Sequence, residues 1–540
     1  MYFADLHVHS SFKPFNNYKG GKNRRNSLTF SDGPEDIWEH ILEDRLTMVP
    51  YTQGSLTQAS YGKANVLFLS ILPMEIGWTQ VENPIINFFF QNKTVASLAS
   101  SISSERMGFV KSSNYSYNEA LQQEYDFILN ELDANRNHEI LKKVKIVNSI
   151  SEAKAKADAG NISIILCIEG AHSVLNKKAT QDISNLIREA KPLMNDLNAM
   201  EQLIKVHLEN EQAELCRDLM ESVDAFINQI KSWQYKPYYL TLAHHFFNGF
   251  SGHALSFPKM TGNMLNQTLG MNYGLTLPGK YLVRELCKLE KENKIFIDAK
   301  HLSIKARQEV YAILKEEQKP PMVSHSAVNG WSTYEKSYIV NGKPEDRISG
   351  GEKYERNDND SKFNNWSINL SDEEIAYLLK ENSLIGIILD QRVLSNKFIA
   401  LDISKNPRKH PERETIGGIA QVYRQIRHVC EVGLAHNFTL KESFAIMCIG
   451  SDFDGLINPI NDVKELKFFH PYAEERELFP FKKPYHDNES FYPGLFLGLK
   501  ALFEKSLNEE NFWQGLNKTP AIMAMDIMCN NLINRLTTWK

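Results

Sequence analysis

The sequence predicts an α/β protein built as a (β/α)8 barrel of the TIM type, and three observations carry that expectation. Apolar runs of strand length recur along the chain. Longer amphipathic segments separate them, and polar residues of one chemical kind cluster just past their C-terminal ends. Continuous β-rich runs alternating with helical patterns indicate parallel strands joined by helical crossovers. The runs are Met1–Val8, Asn65–Pro73, Ile162–Ile168, Tyr238–Ala243, Ile295–Ala299, Pro321–Val323, Leu384–Leu389 and Phe444–Gly450. A doubly wound sheet gives a similar string. The polar residues weigh more, because barrel active sites are built at the C-terminal strand ends.

Taken in order, the first run closes on Asp5-Leu6-His7-Val8-His9. Side chains at i and i+2 of a strand point to the same side, so His7 and His9 can grip one metal ion together. Glu169 follows the third run, His244 the fourth, His301 the fifth, His325 the sixth and Asp452 the eighth. A single His or Asp after a strand is ordinarily a loop or capping residue. Six strand ends of eight carrying such groups are much harder to assign to chance. Imidazoles and carboxylates without a thiolate suit zinc, manganese or iron. One Glu can bridge two such ions about 3.5–4 Å apart, which defines a two-metal hydrolytic site.

Composition narrows the classes further. The 540 residues can bury a large core, and 42% hydrophobic with 24% charged residues is ordinary for a globular chain. A net charge of −5 gives no nucleic-acid or anionic-membrane footprint. The six cysteines form no Cys-x-x-Cys pair, and Cys167, Cys430 and Cys448 fall in apolar stretches, as reduced buried thiols do. Met1 lies almost inside the first strand and no apolar run reaches membrane length, so the expectation is a cytoplasmic protein without a membrane span.

Five segments occur in an order that resembles a known family. They are Ile-Glu-Gly-Ala-His-Ser (168–173), Leu-Ala-His (242–244), Ile-Asp-Ala-Lys-His-Leu-Ser (297–303), Ser-His-Ser (324–326) and Ile-Gly-Ser-Asp-Phe-Asp-Gly (449–455). Asn-Leu-Ser-Asp-Glu (369–373), before the seventh strand, and the second strand agree with the same pattern. Together they resemble the strand-end motifs of the membrane (renal-type) dipeptidases, peptidase family M19 of the amidohydrolase superfamily. The resemblance spans most of the chain in pieces and implies one elaborated metal-dependent hydrolase barrel over residues 1–540. It implies two divalent ions, zinc by default, with His7 and His9 on one, His301 and His325 on the other, and Glu169 between them. A hydroxide between the ions would attack a dipeptide or related small amide. Asp452 would move the proton, and His244 would polarise the scissile carbonyl. Asp5 and His172 would orient the ligand imidazoles by hydrogen bonds. Family members often form homodimers. Asp454, in a Gly-flanked turn, reads as structural.

Two departures bear on the chemistry. The family usually shows His-x-Asp on the first strand, where this chain has His-x-His, which removes one negative charge. The family also places an Arg before the Asn-Leu-Ser-Asp-Glu segment to hold the substrate's terminal carboxylate, and here that position is Ile368. Ile cannot supply a guanidinium clamp. Insertions add to the barrel: an amphipathic stretch over 175–235 that reads as a helical hairpin, and a polar loop over 331–366 that should rise beside the mouth. The connections Ser10–Lys63 and Thr79–Glu152 read as loop-plus-helix elaborations, with Asn16–Arg25 mobile. Two other readings remain at this point. A phosphoesterase of the polymerase-and-histidinol-phosphatase type also opens on Asp-x-His-x-His, although its usual Thr-Asp-His motif is missing here. A non-catalytic metal-binding barrel is the other, and the presence of Asp452 argues against it.

Overall fold

Among the described residues, nine parallel strands form one sheet that curls into a nearly closed barrel. They are β1 (Phe3–Val8), β2 (Ala64–Ile71), β3 (Val144–Ile146), β4 (Ile162–Glu169), β5 (Tyr239–Thr241), β6 (Phe296–Asp298), β7 (Met322–Ser326), β8 (Leu384–Ile387) and β9 (Met447–Ile449). The computed structural model describes residues 1–16, 27–29, 52–79, 102–193, 196–256, 265–290, 294–339, 363–395, 411–455, 457 and 491–539. Eight strands follow the order β1-β2-β4-β5-β6-β7-β8-β9, while β3 pairs only with the start of β4, Val144 opposite Ile162. Between β9 and β1 the ring is drawn together just past the strand ends. Asp452 N donates to His7 O at 2.9 Å, and His9 N donates to Phe453 O at 2.8 Å.

The strands are buried on both faces, as their apolar composition requires; every residue of β4, Ile-Ser-Ile-Ile-Leu-Cys-Ile-Glu, is buried. Helices pack around the outside, and polar residues of the sequence motifs begin several of them. Ser303 caps the helix Ile304–Glu316 by accepting from Ala306 N at 3.0 Å, and Ser371 caps Asp372–Lys380. Asp372, Glu373 and Glu374 in that first turn complement the helix dipole. Gly386 and Gly450 let β7, β8 and β9 approach, because a Cβ at either position would collide with the Ser324 carbonyl. At the N-terminal end an apolar plug of Leu6, Phe68, Ile165, Phe296, Met322 and Leu384 meets Leu532, Ile533 and Leu536 of the last helix, Asn531–Thr538. The polar end of the barrel is therefore the other one.

Several expectations change in detail. The strand β3 has only three residues, too few to register as an apolar run. Phe444, read as the start of the last strand, instead closes a short helix, Leu440–Phe444, capped by Thr439 and Glu442, so the strand begins at Met447. Between β4 and β5 the described residues of the amphipathic stretch form three helices, Lys177–Ala190, Leu197–Leu208 and Glu214–Ser232. Residues 340–362 of the polar loop, and 17–26 and 30–51 of the first connection, lie outside the described residues. All six cysteines are free and buried. No helix among the described residues is long and apolar enough to cross a membrane.

Candidate metal centre

Two irregularities in strand pairing mark where the site is built. The register between β1 and β2 shifts between Asp5 and Val8, and that between β7 and β8 shifts between Val323 and Ser326. His7 and His325 sit inside these shifts, which re-aim side chains beside a site. His301 and Asp452 both adopt left-handed backbone, φ 65° and 63°. Such conformations are costly for residues with a Cβ and concentrate at functional positions.

The strand-end residues converge on Glu169. His7, His9, Glu169 and Asp452 each offer a ligand atom within 4.8 Å of the others, and so do Glu169, His301 and His325. Glu169 belongs to both groups. Its Oε2 lies 2.9 Å from His9 Nε2 and 3.4 Å from His7 Nε2. Its Oε1 lies 3.3 Å from His301 Nε2 and 3.6 Å from His325 Nε2. Asp452 Oδ1 is 3.4 Å from His9 Nε2, and Oδ2 is 4.0 Å from His325 Nε2. All six side chains are buried.

Hydrogen bonds behind the rings decide which nitrogen faces inward. His9 Nδ1 meets the Ser70 carbonyl at 3.1 Å, so that nitrogen carries the proton and Nε2 keeps its lone pair. Tyr239 donates its hydroxyl proton to Leu6 O at 2.9 Å and accepts from His7 Nδ1 at 2.7 Å. Ser324 donates to Asp298 Oδ2 at 2.5 Å and accepts from His325 Nδ1 at 2.8 Å. Three imidazoles thus aim Nε2 at the centre, with His7 Nε2 and His9 Nε2 only 2.9 Å apart. Nitrogens this close need a proton or a metal cation between them. Glu169 Oε1 is also buried without a hydrogen-bond partner among the described residues. These donors fit a divalent metal of the zinc or manganese kind.

Electrostatics agree. Burial raises the Glu169 carboxyl, but His7, His244 and His9 outweigh it and hold the group well below its usual range. Burial lowers His9, yet Glu169 and Asp452 carry it up to about 10. Burial alone dominates at His301, pushed down to about 3, and at His325, also far down. Asp452 is raised, by burial first and then by the Glu169 charge. The field at His9 stabilises positive charge, and a metal ion competes for the same place.

The remaining expected residues divide. His244 stands beside the centre, Nε2 at 3.8 Å from Glu169 Oε2. Asp5 does not touch an imidazole. It lies deeper on β1, where its carboxylate accepts from His7 N (3.1 Å), Ser451 N (2.9 Å) and the Tyr492 hydroxyl (2.6 Å) and so ties β1 to β9. His172 donates Nε2–H to Pro73 O at 2.8 Å, and its Nδ1 has no partner among the described residues. Its ring lies tilted to that of His244, centroids 6.3 Å apart, and its one hydrogen bond goes to the main chain rather than to a ligand imidazole. Asp454 accepts from Gln53 N, Gly54 N and Lys13 Nζ, a structural clasp on the first connection. Ile368 is buried, and Arg307 donates to its carbonyl from the helix side.

Sequence reasoning missed Glu75, which accepts from His244 Nδ1 at 2.6 Å and Phe246 N at 3.0 Å. Burial raises Glu75, but His244 outweighs it and holds the carboxyl low; the reciprocal pull raises His244 against burial. Glu75 lies just past β2, so the rule that singled out Glu169 would have found it.

Fold and site together define a class: a parallel (β/α)8 barrel with a metal-binding type of cluster at its C-terminal mouth. No family model matches the sequence, and no curated protein matches it. Among solved structures the chain is similar to a metallopeptidase of family M19 described as a dipeptidase, at 13% identity and a TM-score of 0.47, covering 100% of this chain and 99% of that one. It is also similar to a metallopeptidase from Rhodobacter sphaeroides carrying a phosphinate mimic of L-Ala-D-Ala (14%, 0.44, 92% and 98%). A probable dipeptidase from Pseudomonas aeruginosa is a further one (14%, 0.42, 90% and 88%). At such identities and scores the likeness adds no argument; fold and site rest on the strands and side chains above.

Proposed function

We propose that the chain is a binuclear metal-dependent hydrolase that cleaves a dipeptide or a related small amide. The observation that carries this reading is the sharing of Glu169 between two imidazole pairs, with Asp452 facing both. His7 and His9 would hold one ion, His301 and His325 the other, and Glu169 would bridge them, with zinc as the favoured metal. The chemistry such ions supply is Lewis acidity toward a carbonyl and a lowered pKa for water.

The chain's own residues would do the rest. Asp452, raised by burial, is suited to accept a proton on its carboxylate and return it to the leaving amine. Glu75 fixes His244 through Nδ1 and favours its protonated form, which leaves an Nε2–H to donate to a developing oxyanion. Glu75 is a positioning residue in this scheme, because it acts through His244.

The test is hydrolysis of a dipeptide panel, mixed L-L and L-D, by metal-loaded wild type and Asp452→Asn, with an N-acylated amino acid and a phosphomonoester as controls. Dipeptide cleavage is expected, and Asp452→Asn should lose about 10²- to 10⁴-fold in turnover while keeping its metal. Phosphomonoester cleavage alone would overturn the amide reading. Loss of metal in Asp452→Asn would make that residue a ligand.

A further inference from the structure

A cleft of about 600 Å³ opens at the N-terminal end of the barrel, the end away from the metal centre. Tyr2, Lys63 and Lys143 line it from the positions just before β1, β2 and β3, and Ile162 lines it from the start of β4. Met525, Cys529 and Ile533, from the last helical segments of the chain, line it as well. Its size falls within the range of about 300–1,000 Å³ usual for small-molecule sites. Barrel chemistry is carried at the opposite rim, so a ligand held here takes no part in hydrolysis.

The charges around the cleft do not balance. Lys63, Lys143 and Lys154 line it against a single carboxylate, Asp158. That carboxylate is already engaged: Lys154 Nζ lies 2.6 Å from its Oδ2, and the Tyr2 hydroxyl hydrogen-bonds to it. The Lys63 and Lys143 ammonium groups have neither a hydrogen bond nor an ion pair among the described residues. They meet at one cleft on a chain whose net charge is −5. Lys63 also holds a left-handed backbone, φ 57°, which is costly for a residue with a Cβ and is usually left to glycine or asparagine. The chain places a lysine there instead, between the helix Leu56–Tyr61 and β2.

We propose that this cleft binds a phosphate monoester of a small organic molecule, the phosphate on Lys63 and Lys143 and the organic part against Met525, Cys529 and Ile533. Three ammonium groups less one carboxylate leave two positive charges, which a phosphate near its dianionic form matches and a single carboxylate does not. Lysine binds phosphate as a point charge, whereas the planar carboxylate finds its best match in arginine. Ser60 and Asn534 add neutral donors to the lining. A long polyanion such as a nucleic acid suits the place less well, because three lysines at one cleft form no basic stripe and the chain as a whole is acidic. The site is separate from the metal centre and does not depend on the hydrolase reading.

The experiment measures binding of phenyl phosphate, inorganic phosphate and phenol to the full metal-loaded chain by calorimetry. Wild type should bind phenyl phosphate at least about tenfold more tightly than either fragment, and less tightly as salt rises. Lys63→Gln combined with Lys143→Gln should lose at least about tenfold in that affinity. Lys63→Arg combined with Lys143→Arg, which keeps both charges, should retain most of it. Both lysines are exposed, so these variants should fold and hold metal as wild type does. Glu169→Ala should bind phenyl phosphate as wild type does, because the cleft lies at the other end of the barrel. No binding by wild type, or binding that the double Gln variant retains, overturns the proposal. Binding lost in Glu169→Ala but kept in the double Gln variant puts the phosphate at the metal centre and overturns it as well.

Discussion

The two halves of the centre use the same residue type at the same depth and differ in charge. On the β1 and β9 side, His7 and His9 face two carboxylates, Glu169 and Asp452, and His9 is carried up to about 10. On the β6 and β7 side, the closest carboxylate to His301 and His325 is Glu169, and burial first, with neighbouring positive charge, pushes both imidazoles down. Support differs as well. His7, His9 and His325 are held at Nδ1 by Tyr239, Ser70 and Ser324, whereas His301 Nδ1 has no partner among the described residues. At His9 the two carboxylates outweigh burial, whereas at His301 and His325 burial outweighs the carboxylates. The first half should hold a cation more tightly than the second.

The largest expected effect separates the halves directly. His9→Ala should weaken the tighter of two metal equivalents by at least about 100-fold, more than changes behind a ligand usually cost. His301→Ala should leave that equivalent within about tenfold and weaken the other. Metal titration of the two variants checks this, and equal losses from both would erase the asymmetry.

A smaller effect lies behind the His9 side. Glu124, on the helix Tyr117–Ala134, is buried, accepts from Ser11 at 2.6 Å through Oε1 and has no hydrogen-bond partner for Oε2 among the described residues. Burial raises it from 4.5 to about 7, against the pull of Ser11, His9 and Arg106. Its folded value is the higher one, so the folded state keeps the proton while the unfolded chain loses it. The stability from that proton is complete below pH 4.5 and is lost as pH rises to about 7. Glu124→Gln should therefore match wild type at pH 4 and exceed it at pH 8, by at most about 3 kcal/mol. Denaturant midpoints at the two pH values measure this; a variant equally changed at both would point to packing instead.

How much of this was legible in the sequence follows from the barrel's geometry. Each strand end delivers its residue to one rim, so His7, His9, Glu169, His301, His325 and Asp452 could be listed before their distances were known. The supporting side chains could not. Tyr239, Ser70 and Ser324 lie inside β5, β2 and β7, where an occasional polar residue in an apolar run carries no signal until closure brings it under an imidazole. Tyr492 meets Asp5 across 487 positions, a contact set by the ring rather than by any local pattern. Ser303 and Ser371, read as parts of motifs, begin helices.

In this reading Glu169 joins two metal positions. Calorimetric titration of zinc or manganese into metal-free wild type and Glu169→Ala tests it most directly, with folding checked by circular dichroism. Wild type should bind two equivalents of unequal affinity, and Glu169→Ala should lose both. A folded wild type that binds no metal, or a Glu169→Ala variant that binds two equivalents as wild type does, would contradict it.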